Sequence, residues 1–250
     1  MRIVDLSSKV ALVTGAGQGL GEAIASALHG AGAVVAINFL PDAQGVNHSR
    51  ASAVAGKLGD RAAVIPADVR DLAQTQAMVE QIVDRFGRLD IVVNNAGILR
   101  DKTLKNLTTE MWQDVIDTNL TGAFNVCKAV GDLISDGGRI VSLSSVAAFL
   151  GFFGQANYAA AKAGVVGLTK ALSREFAKRN VTVNAVAPGV VLTGMGESIP
   201  AESRAEMLKQ VPLKRFAEPR EIADVVLFLC SDMASYISGQ TIHVNGGWYS

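Results

Sequence analysis

The sequence predicts an α/β fold, a doubly wound parallel sheet with helices on both faces, and three observations predict it. Short runs rich in Val and Ile recur along the chain with helical apolar periods between them. The runs are almost continuously apolar, as strands buried on both faces are. The first run passes through a glycine-rich turn directly into a helical pattern, the start of a strand–turn–helix unit that puts backbone N–H groups at a helix N-terminus.

In chain order, Val10–Thr14 reads as the first strand. It leads into Gly15-Ala16-Gly17-Gln18-Gly19-Leu20-Gly21, and Ile24 and Leu28 begin the helix that follows. The spacing is Thr14-Gly15-x-x-x-Gly19-x-Gly21, which differs from the common Gly-x-Gly-x-x-Gly turn. Further strands are expected at Ala33–Phe39, Ala63–Ala67, Ile91–Asn94, Arg139–Leu143, Thr182–Ala187 and Thr241–Val244. Between the third and fourth, Asp71 suits an N-cap, Met78, Val79, Ile82, Val83 and Phe86 form an apolar stripe, and Gly87 suits a terminator. Helical patterns also cover Thr109–Asn119 and Gly122–Leu133. The stretch from Thr193 to Leu213 is irregular, with Gly194, Gly196, Pro200 and Pro212 around a short helical pattern. No linker, internal repeat or low-complexity tract interrupts the pattern, so residues 1–250 read as one domain.

Composition narrows the function. The chain has 250 residues, 49% hydrophobic and 18% charged, enough apolar residues for a sizeable core. Its 23 basic and 23 acidic residues balance, which argues against nucleic acid or an anionic membrane as main partner. Cys127 and Cys230 have no metal-ligand spacing and read as reduced core residues, and no metal cluster is visible. Asp5 and Lys9 interrupt the apolar N-terminus and no apolar run reaches the roughly 18 residues of a membrane span, so a soluble, cytoplasmic protein is expected.

The chemistry concentrates in Asn157-Tyr158-Ala159-Ala160-Ala161-Lys162. A helix places Tyr158 and Lys162 on one face. A free phenol titrates near pH 10, so acid–base work at neutral pH calls for a neighbour that favours the phenolate, each unit being worth about 1.4 kcal/mol.

With the glycine turn, these residues resemble the short-chain dehydrogenase/reductase family. The resemblance runs from about Leu6 to Gly247 and includes Asn94-Asn95-Ala96-Gly97 after a strand, Asn119 in Asp117-Thr118-Asn119-Leu120, Ser145 thirteen positions before Tyr158, and Pro188-Gly189 with Thr193 just beyond. It implies a Rossmann-like seven-stranded sheet in the order 3-2-1-4-5-6-7, ligands at the carboxyl ends of the strands, and residues 193–213 covering the substrate. By the same resemblance, Tyr158 is the general acid in ketone reduction, Lys162 lowers its pKa and holds the nicotinamide ribose, Ser145 rather than Ser144 bonds the substrate oxygen, and Asn119 supports a water-linked proton path. Gly15, Gly19, Leu20 and Gly21 are expected at the pyrophosphate and Asp68 and Val69 near adenine. Asn95, Ala96 and Gly97 fall beside the adenosine half, and Pro188, Gly189, Val191 and Thr193 near the carboxamide.

Cofactor choice turns on the end of the second strand, where Asn38 and Phe39 stand without the acidic residue that would hold a 2′-hydroxyl. That points to NADP, with NAD as the alternative because Gln18 occupies the position of a common NADP-binding arginine. Gln18 and Asn38 are candidate donors to a 2′-phosphate, and the next basic residue is Arg50.

Within the family the stretches at 95–101, 154–164 and 243–247 look like 3-oxoacyl-acyl-carrier-protein and acetoacetyl-CoA reductases. The implied reaction is NADPH-dependent reduction of a 3-oxoacyl thioester to the 3-hydroxyacyl form. The alternatives are a carbonyl reductase or a secondary-alcohol or sugar dehydrogenase, and a nucleotide-binding subunit without turnover. Arg179 matches one residue of the basic pair expected to dock an acyl carrier protein, but Asp136 falls on the other. Phe152 and Phe153 are candidates to line an acyl site. A homotetramer is implied, built from the helices at 109–133 and the segment Ile237 to Tyr249.

Overall fold

The computed structural model describes residues 4–194 and 199–250. Its centre is one seven-stranded sheet, every neighbouring pair parallel, in the order β3-β2-β1-β4-β5-β6-β7. The strands are β1 Val10–Val13, β2 Val34–Phe39, β3 Ala62–Pro66, β4 Ile91–Asn94, β5 Arg139–Leu143, β6 Thr182–Pro188 and β7 Thr241–Val244. All seven lie within a residue of their expected positions.

Alternation along these strands divides the core in two. Ala11 and Val13 of β1 and Ile91 and Val93 of β4 point to one face, which is covered by Ile24 and Leu28 of α1 (Gly19–Gly30) and by Ile222, Val226 and Leu229 of α9 (Pro219–Cys230). Val10, Leu12 and Val92 point to the other, under Met78, Val79 and Ile82 of α3 (Leu72–Phe86) and Val126 and Val130 of α5 (Gly122–Val130). Burial on both faces explains why the strand runs carry so few polar residues. The expected caps of α3 are in place: the Asp71 carboxylate accepts from the N–H groups of Ala73 and Gln74, and Gly87 takes the left-handed conformation at φ 76°.

Helix α2 (Val46–Leu58) connects β2 to β3 and buries Ala51 and Val54. Helix α4 (Thr109–Ile116) runs into α5 through one wide turn, Asp117–Thr121, that carries Asn119. After β5 come the short α6 (Ala147–Leu150) and the long α7 (Ala156–Glu175). The short helix expected after Thr193 is α8 (Ala201–Gln210); Gly196 lies outside the described residues. The turns after β1, β2, β3, β4, β5 and β6 all open on the carboxyl edge of the sheet, where a groove crosses it.

Candidate active site

The groove has a volume of about 660 Å³ and is floored by the glycine-rich turn. Gly15 (φ 63°) and Gly19 (φ 59°) are left-handed, and a Cβ at Gly21 would come within 2.6 Å of Asn95 Nδ2 and of the Gly15 carbonyl. Only glycine lets this turn fold flat against β4. Thr14 at the end of β1 locks the two strands together: its Oγ1 accepts from the N–H groups of Asn95 (2.9 Å) and Ala96 (3.0 Å), and Asn95 Nδ2 donates to the Thr14 carbonyl at 2.8 Å. The result is a glycine cradle at the N-terminus of α1, suited to a diphosphate.

Every expected cofactor residue lines this groove. Gly15, Gln18, Gly19, Leu20 and Gly21 form its floor, Asn38, Phe39, Asp68 and Val69 one end, Asn95, Ala96 and Gly97 the middle, and Pro188, Gly189, Val191 and Thr193 the far wall beside Ser145, Tyr158 and Lys162. One role changes on inspection. Asn38 is buried, its Nδ2 donates to the carbonyls of Phe39, Ile65 and Ala67, and its Oδ1 accepts from Gly15 N–H at 3.3 Å. Asn38 is therefore corrected from a phosphate donor to a brace for the glycine turn. Asp68 is gripped by Arg70, whose Nε donates to Oδ1 and Oδ2 at 3.0 and 2.9 Å and whose Nη2 donates to Oδ2 at 2.6 Å. Burial pushes the Asp68 carboxyl up, but the Arg70 guanidinium outweighs it and holds the carboxyl below its ordinary value.

The two serines separate cleanly. Ser144 is buried and donates to the Lys162 carbonyl at 2.9 Å, whereas Ser145 faces the groove, its Oγ accepting from Ala147 N–H at 3.1 Å. Both border the groove just beyond β5, but the Ser144 hydroxyl is committed to the Lys162 carbonyl. Tyr158 and Lys162 share a face of α7, with Lys162 Nζ 5.7 Å from the Tyr158 ring centroid and donating to the Leu143 carbonyl at 2.6 Å.

Burial is the largest influence on the Tyr158 phenol in this structure. Burial pushes the phenol up, the Ser145 hydroxyl pulls it down, and the charge of Asp101 pushes it up again, to about 12. Burial likewise pushes the Lys162 ammonium down to about 8. At neutral pH Tyr158 carries its proton and Lys162 its charge.

Asn119 braces the loop after β4. Its Oδ1 accepts from Ile98 N–H at 2.8 Å and its Nδ2 donates to the Ile98 carbonyl at 3.0 Å, so the amide itself is committed to backbone. Behind Lys162, a cavity of about 10 Å³ is bordered by Asn119, Thr118, Ser142 and Asn94, and Asn94 Oδ1 has no hydrogen-bond partner.

Three residues the sequence reading passed over complete the site. Asn157 is fully buried; its Nδ2 donates to the carbonyls of Arg100 and Met111 (3.2 Å each), and its Oδ1 accepts from Tyr158 N–H at 2.8 Å, fixing the start of α7 and the phenol with it. Its signal was its place directly before Tyr158. Gln155 donates to Asp101 at 2.7 Å across the mouth of the groove. Arg70, two residues after Asp68, clamps it. The apolar wall is formed by Phe152, Val190 and Met207, packed with Val211 and Trp248, and Trp248 Nε1 donates to Gln210 of α8. Phe152 thus lines the groove as expected, while Phe153 is exposed.

Arg179 does not stand free at the entrance. It donates from Nε to Asp136 at 2.8 Å and to the carbonyls of Gly131 and Ile134. Cys127 and Cys230 are buried free thiols pushed up by burial to about 11 and about 12, as core residues should be. Among the described residues no helix is long and apolar enough to cross a membrane.

A parallel sheet in this order, a glycine cradle, and a serine, tyrosine and lysine at the far end of one groove define a dinucleotide-using oxidoreductase. The chain belongs to the short-chain dehydrogenase/reductase family. A family model described as enoyl-(acyl carrier protein) reductase matches residues 15–249. The chain is 47% identical to the 3-oxoacyl-[acyl-carrier-protein] reductase FabG of Staphylococcus aureus, over 97% of this chain and 98% of that one, and 46% identical to that of Vibrio cholerae, over 98% and 99%. Among solved structures, a Brucella melitensis protein titled short-chain dehydrogenase/reductase SDR:glucose/ribitol dehydrogenase matches with a TM-score of 0.93 at 35% identity, covering all of both chains. A dehydrogenase/reductase from Sinorhizobium meliloti gives 0.93 at 32%, covering 99% and 98%.

Proposed function

We propose that this protein reduces 3-oxoacyl thioesters to their 3-hydroxyacyl forms with NADPH. The carrying observation is the pairing of Ser145 and a protonated Tyr158 at one end of a groove whose other end holds a glycine cradle; the relatives named as 3-oxoacyl reductases supply the substrate class.

Bound NADPH supplies the hydride that reaches the ketone carbon. The chain's own part is to place and protonate the oxygen. Ser145 Oγ donates to the ketone oxygen as negative charge builds there, and Tyr158 gives its proton to the same atom. Raised to about 12 by burial, the phenol keeps at neutral pH the proton that ketone reduction consumes. Lys162, charged at neutral pH, holds positive potential beside the phenolate that remains and is placed to bond the ribose. The cavity behind Lys162 is at the lower limit of the size of one water, and the unpartnered Asn94 Oδ1 beside it supports a relay that returns a proton to Tyr158 past Asn119. Phe152, Val190 and Met207 form the acyl wall, and α8, which carries Met207, covers it.

The choice of NADP rests on the acid-free end of β2, where Phe39 and Leu40 line the groove. The thioester carrier is either CoA or acyl carrier protein; the pairing of Arg179 with Asp136 favours CoA, and the names of the relatives favour the carrier protein. A homotetramer is supported by the exposed apolar residues Trp112 and Phe124 on α4 and α5 and by Met233 and Tyr236 before β7. Light scattering showing a monomer across working concentrations would remove it. A cytoplasmic location follows from this function.

The test is a set of initial rates with NADPH and NADH on acetoacetyl-CoA and crotonyl-CoA. Fast NADPH oxidation with acetoacetyl-CoA alone is expected; turnover only of crotonyl-CoA would move the reaction to the carbon–carbon double bond that the family model's description names.

A further inference from the structure

We propose that Arg50, on α2, holds the 2′-phosphate of NADP and takes the place of the arginine missing at Gln18; the inference rests on the NADP reading above. Among the described residues four cationic side chains line the groove, and three are engaged: Arg70 with Asp68, Arg100 with Asp114, and Lys162 with the Leu143 carbonyl. Arg50 is exposed, lines the groove with Gln18, Phe39, Leu40 and Asn47, and has no ion pair or hydrogen bond among the described residues.

Helix packing fixes where that guanidinium sits. Ala51, the next residue, is fully buried against the glycine turn, so close that a Cβ at Gly17 would meet Ala51 N at 3.1 Å. The first turn of α2 is held by Asp42, whose carboxylate accepts from Val46 N–H and Asn47 N–H at 2.9 Å each, and Asn47 Nδ2 donates to the Leu40 carbonyl at 3.0 Å. Asp42 is thereby occupied in capping and does not line the groove. The carboxylates that line it among the described residues, Asp68 and Asp114, are each paired with their own arginine.

Among the described residues, this end of the groove therefore presents one unpaired guanidinium and no unpaired carboxylate. A guanidinium grips a phosphate through two N–H groups and gains little from an uncharged 2′-hydroxyl. Sequence position concealed the residue: eleven positions separate Phe39 from Arg50, and only the fold of α2 back over the turn joins them.

The test is calorimetric titration of adenosine 2′,5′-bisphosphate and of 5′-AMP, with NADPH and NADH dissociation constants, for the wild-type protein, Arg50→Gln and Arg50→Lys. Arg50→Gln is expected to weaken the bisphosphate and NADPH by about 10- to 100-fold and 5′-AMP and NADH by less than threefold, with Arg50→Lys between. A wild-type preference for NADPH that survives Arg50→Gln would overturn the assignment of Arg50 while leaving the NADP reading intact. A wild-type protein that binds NADH and 5′-AMP at least as tightly would overturn both.

Discussion

Arg179 is locked to Asp136, Nε to Oδ1 at 2.8 Å, while its other nitrogens donate to the carbonyls of Gly131 and Ile134. The guanidinium closes the end of α5 onto the turn before β5, and the acid at 136 faces solvent. An acidic carrier approaching this corner meets Asp136 first. Asp136→Lys is expected to raise kcat/KM for an acyl-carrier-protein thioester several-fold at low salt and leave acetoacetyl-CoA unchanged. Parallel initial rates on the two substrates check it. Arg179→Ala, by leaving two carbonyls without their donor, should lower stability by about 1–2 kcal/mol in urea titration.

The two adjacent serines predict opposite outcomes. Ser145→Ala removes a donor at the developing oxyanion and should cut kcat about 100-fold or more with the fold intact. Ser144→Ala loses a buried bond to the Lys162 carbonyl and should cost about 1 kcal/mol of stability with far less effect on kcat. Steady-state kinetics beside thermal melts separate the two.

The pH dependence follows from Lys162 and Tyr158. For reduction, kcat/KM reports the free enzyme, so it should hold level through neutral pH and fall as Lys162 loses its charge around pH 8. The stability signs differ between the two groups. Lys162 is depressed in the folded chain, so from about pH 8 to its ordinary value near 10.5 the unfolded chain binds more protons and this group's contribution to stability rises with pH. Tyr158 is raised, so between 10 and about 12 its contribution falls as pH rises. A pH–rate profile checks the first statement, and urea midpoints from pH 7 to 12 check the second.

Glycines in similar company should respond differently to alanine. Gly21→Ala drives a Cβ into Asn95 Nδ2 and the Gly15 carbonyl and should abolish cofactor binding or folding. Gly56→Ala, within α2 and with nothing within 4 Å, should stabilise the protein by about 0.5–1 kcal/mol. Melting temperatures and NADPH titration of both variants distinguish them.

The sheet was legible in the sequence because strands buried on both faces leave continuous apolar runs, and the caps of α3 because Asp71 and Gly87 act on backbone within a few residues. The cofactor groove was legible because its floor is a contiguous glycine turn. What escaped depends on long-range placement. Asn38 had a donor's chemistry, but only its burial between β1 and β3 shows that its donors are taken. The spacing put Lys162 on the face of Tyr158, but only the fold shows that its ammonium donates to the Leu143 carbonyl and that burial weighs most on the phenol. Asn157 and Arg50 acquire their places from loops and helices that return from elsewhere in the chain.

The central claim is that Tyr158 donates the proton in an NADPH-dependent ketone reduction. It is tested most directly by NADPH oxidation with acetoacetyl-CoA in wild type and Tyr158→Phe, alongside NADPH titration of both. The account predicts rapid turnover by the wild type, a loss of about 1000-fold or more in kcat for the variant, and NADPH affinity within a fewfold. A variant that binds NADPH and turns over at the wild-type rate would contradict it.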